Sequence, residues 1–323
     1  MKKRLAIVLT LVLALSMLAG CTQNGGDDIV YKIGVTQIAD HPSLDNCREG
    51  FIEGLAEAGY VEGKNIEIEF QSAQNDMQRA NQIATSFANG GKDLVCGIAT
   101  PSAQGLYTFC FEKNIPVIFN AVSDPVEAKL AVSKTESMPG ISGVSDELPV
   151  EEQLKLIRKI LPNAKKIGIL YTTSESNSVS TIKKYKELAS NYGFEIVDKG
   201  IGTQAEIPQA TDILLNEVDC ISNMTDNTVV AALSVVLEKA NAKNIAVFGS
   251  EEEQVKNGCI ASAGLDYLVL GKQAGKMAAR VLSGEDISTI PYETMEESKI
   301  TVNEDVAGKL GIEIPQEILD IAK

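Results

Sequence analysis

The chain contains no tryptophan and, among its 323 residues, one histidine, His41. A single imidazole cannot supply both a catalytic relay and a histidine-based metal cluster, and HExxH, GxSxG and the Walker A phosphate loop are all missing. The motif signatures of metallopeptidases, α/β-hydrolases and P-loop nucleotidases are therefore excluded, and no cofactor or metal is expected. No two of the six cysteines form a CxxC pair, so their spacing points to neither zinc nor a redox couple. Positive charge is scarce as well: 29 Lys and Arg stand against 44 Asp and Glu, a net charge of −15. Such a surface repels nucleic acid and anionic headgroups, which excludes polyanion partners. After Leu18 no apolar run approaches the roughly 20 residues that span a bilayer.

What is present begins at the N-terminus. Lys2-Lys3-Arg4 precedes an apolar run from Leu5 to Leu18, and the small residues Ala19-Gly20 lead to Cys21. A basic start, a short apolar core and a small-residue site read as an export signal, and the ending resembles a bacterial lipobox. Residues 1–20 are thus expected to be a lipoprotein signal peptide, with Cys21 acylated and residues 21–30 a flexible tether, since Thr22 to Asp28 is polar and buries nothing. Cleavage removes three cations and no acid, taking the charge to −15 − 3 = −18. Five cysteines remain, an odd number, and Cys96 and Cys220 lie in apolar runs. Buried free thiols are expected.

From Tyr31 short β-rich runs alternate with helix-length amphipathic segments, the signature of parallel sheets covered by helices on both faces. The strands read as Tyr31 to Ile38, Asn65 to Phe70, Leu94 to Ala99 and Pro116 to Val122. A second series reads as Lys166 to Thr172, Glu195 to Gly202, Asp219 to Met224 and Asn244 to Gly249. The chain length and the doubled pattern predict two α/β lobes. Between the series, Ser123 to Pro149 contains Asp124-Pro125 and Pro139-Gly140, a breaker-rich stretch that predicts a crossover. A late helix, Leu268 to Leu282, precedes a last strand at Ile300 to Val302.

Gly200-Ile-Gly202-Thr-Gln-Ala205 matches GxGxxA, yet it follows the second strand of the second series. A dinucleotide fingerprint belongs in the first strand-to-helix turn, so this match carries no cofactor. Thr100-Pro101-Ser102-Ala103 is better placed, after the apolar strand at Leu94 and at the start of a helix. Thr100 can cap that helix, Pro101 suits its first position, and its free amides would face the crevice where doubly wound sheets bind anions. Other strand ends also finish in polar residues: His41, Asn120, Glu175, Asn177, Ser178, Asn223, Thr225 and Asp226. On facing lobes they would line one cleft.

The lipobox is followed in order by Gly34-Val-Thr-Gln-Ile-Ala-Asp-His-Pro-Ser-Leu-Asp45, Gly63-Lys64-Asn65, Ile98-Ala-Thr-Pro-Ser-Ala-Gln104, Asp124-Pro-Val126, Gly143-Val-Ser-Asp146 and Gly264-Leu-Asp-Tyr267. This succession resembles the substrate-binding lipoproteins of a bacterial ABC importer family that includes tryptophan and tyrosine binders. The resemblance implies a type I periplasmic binding protein: two doubly wound Rossmann-like lobes joined by a hinge, with the late helix returning to the first lobe. The lobes would comprise residues 31–143 with 266–289, and 144–265 with 290–323.

It further implies a monomeric, lipid-anchored extracytoplasmic receptor for a small amino acid, aromatic in side chain, delivered to ABC permease subunits. Thr100, Ser102 and neighbouring amides would take the carboxylate. Asp266, with Glu175 or Asp226, would take the ammonium, and His41 would lie against the side chain. Three other readings stay open on sequence: a sensory module for a signalling receptor, a binder of sugars or nucleosides, and an extracytoplasmic enzyme.

Overall fold

A computed structural model describes residues 30–295 and 298–322. The expected signal peptide, Cys21 and the tether up to residue 29 lie outside the described residues.

The first series runs β1 (Tyr31–Gln37), α1 (Pro42–Glu57), β2 (Ile66–Ser72), α2 (Met77–Asn89), β3 (Leu94–Ile98), α3 (Thr100–Cys110) and β4 (Val117–Asn120). A small hairpin, β5 (Ala131–Ser133) and β6 (Glu136–Ser137), precedes β7 (Ile141–Ser145). The second series is α4 (Val150–Ile160), β8 (Lys166–Thr172), α5 (Ser176–Leu188), β9 (Glu195–Ile201), α6 (Ile207–Leu214), β10 (Cys220–Ser222), α7 (Asn227–Ala231), α8 (Leu233–Ala242), β11 (Ala246–Glu251), α9 (Glu252–Lys256) and β12 (Ala261–Leu265). The chain ends with α10 (Tyr267–Leu282), β13 (Glu293–Thr294), β14 (Lys299–Val302), α11 (Glu304–Leu310) and α12 (Gln316–Leu319).

Two six-stranded sheets result, ordered β13-β7-β4-β3-β1-β2 and β14-β12-β11-β10-β8-β9. All pairings are parallel except β14 on β12. The central strands are apolar on both faces because helices cover both. In β8, Ile167 and Ile169 enter one core cluster of the second lobe, while Leu170 enters the cluster on the other face. The expected fold, two doubly wound lobes, is the one observed.

The lobe limits differ from the expectation. The breaker-rich stretch holds β7, five buried residues that extend the first sheet to Ser145. Glu293 and Thr294 pair with Val144 and Ser145, so the chain leaves the first sheet after 294 rather than near 290. The chain thus passes between the sheets after β7, at Asp266 between β12 and α10, and between β13 and β14. The late helix does return to the first lobe, where Leu270, Ala274 and Met277 join the core of Val35, Phe51 and Phe119. The five cysteines from Cys47 to Cys259 are free and buried.

The GxGxxA segment is the turn from β9 into a short 3-10 helix, and a capping box between Thr203 and Glu206 closes it. The Glu206 carboxylate takes the amides of Gly202 and Thr203 there.

Candidate functional site

Parallel strands deliver their carboxyl ends to one edge of each sheet, and the two edges face each other. Between them lies a narrow cavity, lined from the first lobe by His41, Ser43, Leu44, Ala99, Thr100, Ala121, Ser123 and Asp146. Asn177, Thr225, Asn227, Val230 and Gln254 line it from the second lobe, and Tyr267 from the crossover into α10.

Helix α3 starts one residue earlier than expected. Thr100 is its first residue and Ala99 its N-cap, with φ +69° and ψ 158° and no side chain to accept a hydrogen bond. That backbone region is nearly confined to glycine, and holding alanine there costs about 1–3 kcal/mol. Ala121, after β4, also has positive φ, at +59°. The strain brings two strand ends against the cavity and leaves the first-turn amides of α3 without a capping side chain. Thr100 Oγ1, relieved of capping, is buried without a partner.

Asp146 is the buried carboxylate of the cavity. Ser123 Oγ donates to its Oδ1 at 2.9 Å and Tyr267 OH to its Oδ2 at 2.5 Å. Burial raises its pKa above the usual carboxylate range, while the two donors oppose the shift. A cation beside it would favour the ionised form.

His41 precedes Pro42 and N-caps α1 through its backbone alone. Both ring nitrogens are buried and unpartnered. Burial pushes its pKa down to about 4 against the opposing pull of Asp45, Asp40 and the nearby Asn227 side chain, which stands beside the ring without a well-formed hydrogen bond, so the ring is neutral at physiological pH. Opposite, Asn177 Nδ2 lies 3.3 Å from Glu175 Oε2, from Ser178 Oγ and from Thr225 O. Gln254 is anchored at both amide atoms: Asn223 Nδ2 and Ser250 N donate to Oε1, and Nε2 donates to Ser250 Oγ.

Of the residues expected in the site, His41, Thr100, Asn177 and Thr225 line the cavity. The others support it or lie elsewhere. Asp226 caps α7 and takes hydrogen bonds from Thr172 and Ser178, so neither Asp226 nor Ser178 faces the cavity. Glu175 accepts from Asn227 and Thr228 through backbone and side chain alike, and burial with the nearby Asp226 raises its pKa to about 7. Asn223 positions Gln254 from behind, and Asn120 donates to Cys47 O. Pro101 lines a neighbouring groove with Glu175, while Ser102 and Ala103 pack against Gly97.

Asp266 is a correction. Its carboxylate accepts from Leu268 N and Val269 N, capping α10, and it borders a separate surface groove with Val269 and Lys299. The carboxylate in the cavity is instead Asp146, at the end of the Gly143-Val-Ser-Asp146 block, where nothing in the sequence marks a contact. Ser123, Asn227, Gln254 and Tyr267 were also missed.

The model for the ABC transporter substrate binding protein family matches residues 32–323. A tyrosine-binding protein of Clostridioides difficile is 40% identical, the match spanning 97% of this chain and 93% of that protein. A Streptococcus protein solved in complex with L-Trp shares 34% identity at a TM-score of 0.87, over 90% of this chain and 98% of that one. A ligand-free, open substrate-binding protein from Clostridium difficile is 40% identical yet reaches only 0.67, over 88% and 96%. The lobe arrangement here thus follows the L-Trp complex more closely than the open form, although the open form is nearer in sequence.

Proposed function

This chain belongs to the ABC transporter substrate-binding protein family, and we propose that it captures a free amino acid with an aromatic side chain between its lobes and passes it to an ABC permease. The observation that carries the reading is the pairing, in one cavity, of a buried carboxylate at the end of β7 with an uncapped helix start at the end of β3. In the sheet these ends flank β4, so opposite charges are received within about two strand spacings, roughly 10 Å. An α-amino acid presents its ammonium and carboxylate from a single carbon. Asp146 takes the first; the α3 amides and Thr100 Oγ1 take the second.

Charge-assisted hydrogen bonds contribute about 1.5–3 kcal/mol each, against the roughly 8 kcal/mol of a micromolar complex. Ring burial against Leu44 and Val230 adds to them. The tyrosine-binding relative and the L-Trp complex support an aromatic ligand.

L-Tryptophan would be the sole indole emitter in a chain without tryptophan, so its anisotropy reports binding directly. It is expected to rise with the free amino acid and not with its methyl ester or N-acetyl form. Asp146→Asn should weaken calorimetric affinity by ten- to a hundredfold, about 1.5–3 kcal/mol. No heat with tyrosine, tryptophan or phenylalanine, alongside tight binding of a sugar or nucleoside, would sink the proposal.

We also propose that Cys21 is acylated and anchors the receptor outside the cell membrane, on the evidence of the preceding Leu18-Ala19-Gly20. Cys21→Ala should then move the protein from the membrane fraction into the soluble one. Retention at the wild-type level would contradict the anchor.

A further inference from the structure

The polar side chains around the cavity are mostly matched already. Ser43 donates to Glu251, Ser123 and Tyr267 donate to Asp146, Asn227 donates to Glu175, and Gln254 is held by Asn223 and Ser250. Among the described cavity residues, the buried side-chain atoms left without a partner are Thr100 Oγ1, both nitrogens of His41 and Asn177 Oδ1. Thr100 belongs to the carboxylate end. His41 and Asn177 remain, one from each lobe, with exposures of 8% and 4%.

The orientation of the Asn177 amide is set by its neighbours. Thr225 O can only accept, and Glu175 Oε2 already accepts from the backbone and side chain of Asn227, so Nδ2 faces both and a flipped amide would set oxygen against them. Oδ1 is thereby fixed as an acceptor. The neutral imidazole of His41 offers one donor and one acceptor, with the Asn227 side chain beside it as a competing partner. Leaving these buried atoms unpaired is costly, because an unmatched buried acceptor loses its water and gains nothing.

Resting on the amino acid reading above, we propose that His41 and Asn177 read the ligand's ring substituent and select aromatic side chains that carry a hydrogen-bond donor. A phenol satisfies both residues, donating to Asn177 Oδ1 and accepting from the His41 N–H. An indole N–H satisfies Asn177 alone. A phenyl ring satisfies neither, and sites built around such atoms discriminate strongly against analogues that lack the group.

The test is calorimetry on the wild-type protein with L-tyrosine, L-tryptophan, L-phenylalanine, 4-fluorophenylalanine and 4-aminophenylalanine. Tyrosine should bind tightest. Phenylalanine and its fluoro analogue should be at least tenfold weaker, roughly ten- to a hundredfold, whereas the amino analogue should stay within a few fold of tyrosine. In Asn177→Leu the advantage of tyrosine over phenylalanine should shrink to about threefold or less. The wild-type ligand series needs no variant, so the outcome stands even if Asn177→Leu fails to fold. Phenylalanine binding within threefold of tyrosine to the wild type would overturn the proposal while leaving the amino acid reading intact. If none of the five binds, both fall together.

Discussion

Asp146 and Asp266 each directly follow a buried strand, β7 and β12, yet only Asp146 faces the cavity, and the reason lies in the next few residues. After Asp266 the helix begins at once, so the amides of Leu268 and Val269 are within reach and the carboxylate caps them. After Asp146 the chain reads Glu147-Leu148-Pro149, and the helix begins only at Val150. No helix amide is near Asp146, and the hydroxyls of Ser123 and Tyr267 hold it instead. Strand ends were legible in the sequence because the apolar runs stop there. What each end does was not, since a cap and a ligand contact use the same residue types. His41 and Thr100 could be found from their positions beside Pro42 and Pro101. Gln254 could not, because it reaches the cavity from inside α9, where sequence shows only a charged helix face. The strain at Ala99 was equally hidden, as nothing in an Ala-Thr-Pro sequence announces a positive φ.

Strands carried on apolar runs were legible even when short, as three-residue β10 shows, and those of loop composition were not. β7 was missed because Ile-Ser-Gly-Val-Ser behind Pro139-Gly140 has loop composition, although all five residues are buried. Its small residues have a packing cause: a Cβ on Gly143 would lie 2.0 Å from Phe119 O of β4. The return of α10 to the first lobe rests on a similar device, two helices that meet backbone to backbone. A Cβ at Gly50 or Gly54 of α1 would strike Leu268 O or Lys272 O at 2.1–2.2 Å, and one at Gly271 or Gly275 would strike Cys47 O or Phe51 O at 2.2–2.3 Å. Reciprocal glycines four apart thus let α1 and α10 touch along their axes. Gly271→Ala should lower unfolding free energy by about 3 kcal/mol, the upper part of the range for overpacking, even though alanine favours a helix by about 1 kcal/mol. Gly308→Ala in α11, where nothing lies within 4 Å of the added carbon, should stabilise by about 0.5–1 kcal/mol. Chemical denaturation of both variants separates close approach from helix propensity. Equal effects in the two would remove the packing argument.

The whole molecule is held shut by a few polar contacts rather than by an apolar interface. Ser43 Oγ donates to Glu251 at 2.9 Å, Asn46 Nδ2 to Glu253 at 3.3 Å and Asn75 Nδ2 to Thr228 at 3.1 Å, while Ser180 donates to Asp124. Each is worth about 0.5–1.5 kcal/mol net, and polar interfaces of this kind leave lobe motion as the default. A ligand in the cavity would add contacts to both lobes at once, so it shifts the population toward the closed form only as far as it binds that form better. Apparent affinity then scales with the closed fraction. This gives a test that does not touch the cavity, since neither Asn75 nor Ser180 lines it. Asn75 has φ +61°, so glycine removes its side chain without adding backbone strain. Asn75→Gly and Ser180→Ala should each weaken aromatic amino acid binding by about two- to tenfold, the loss of one seam contact. The melting of the ligand-free protein should move little, because each contact exists only when the lobes meet. Small-angle scattering supplies the second readout: the radius of gyration of the wild type should fall on saturation with ligand. An unchanged radius together with unchanged affinity in both variants would show that the lobes do not close around the ligand, and the cavity would have to fill by another route.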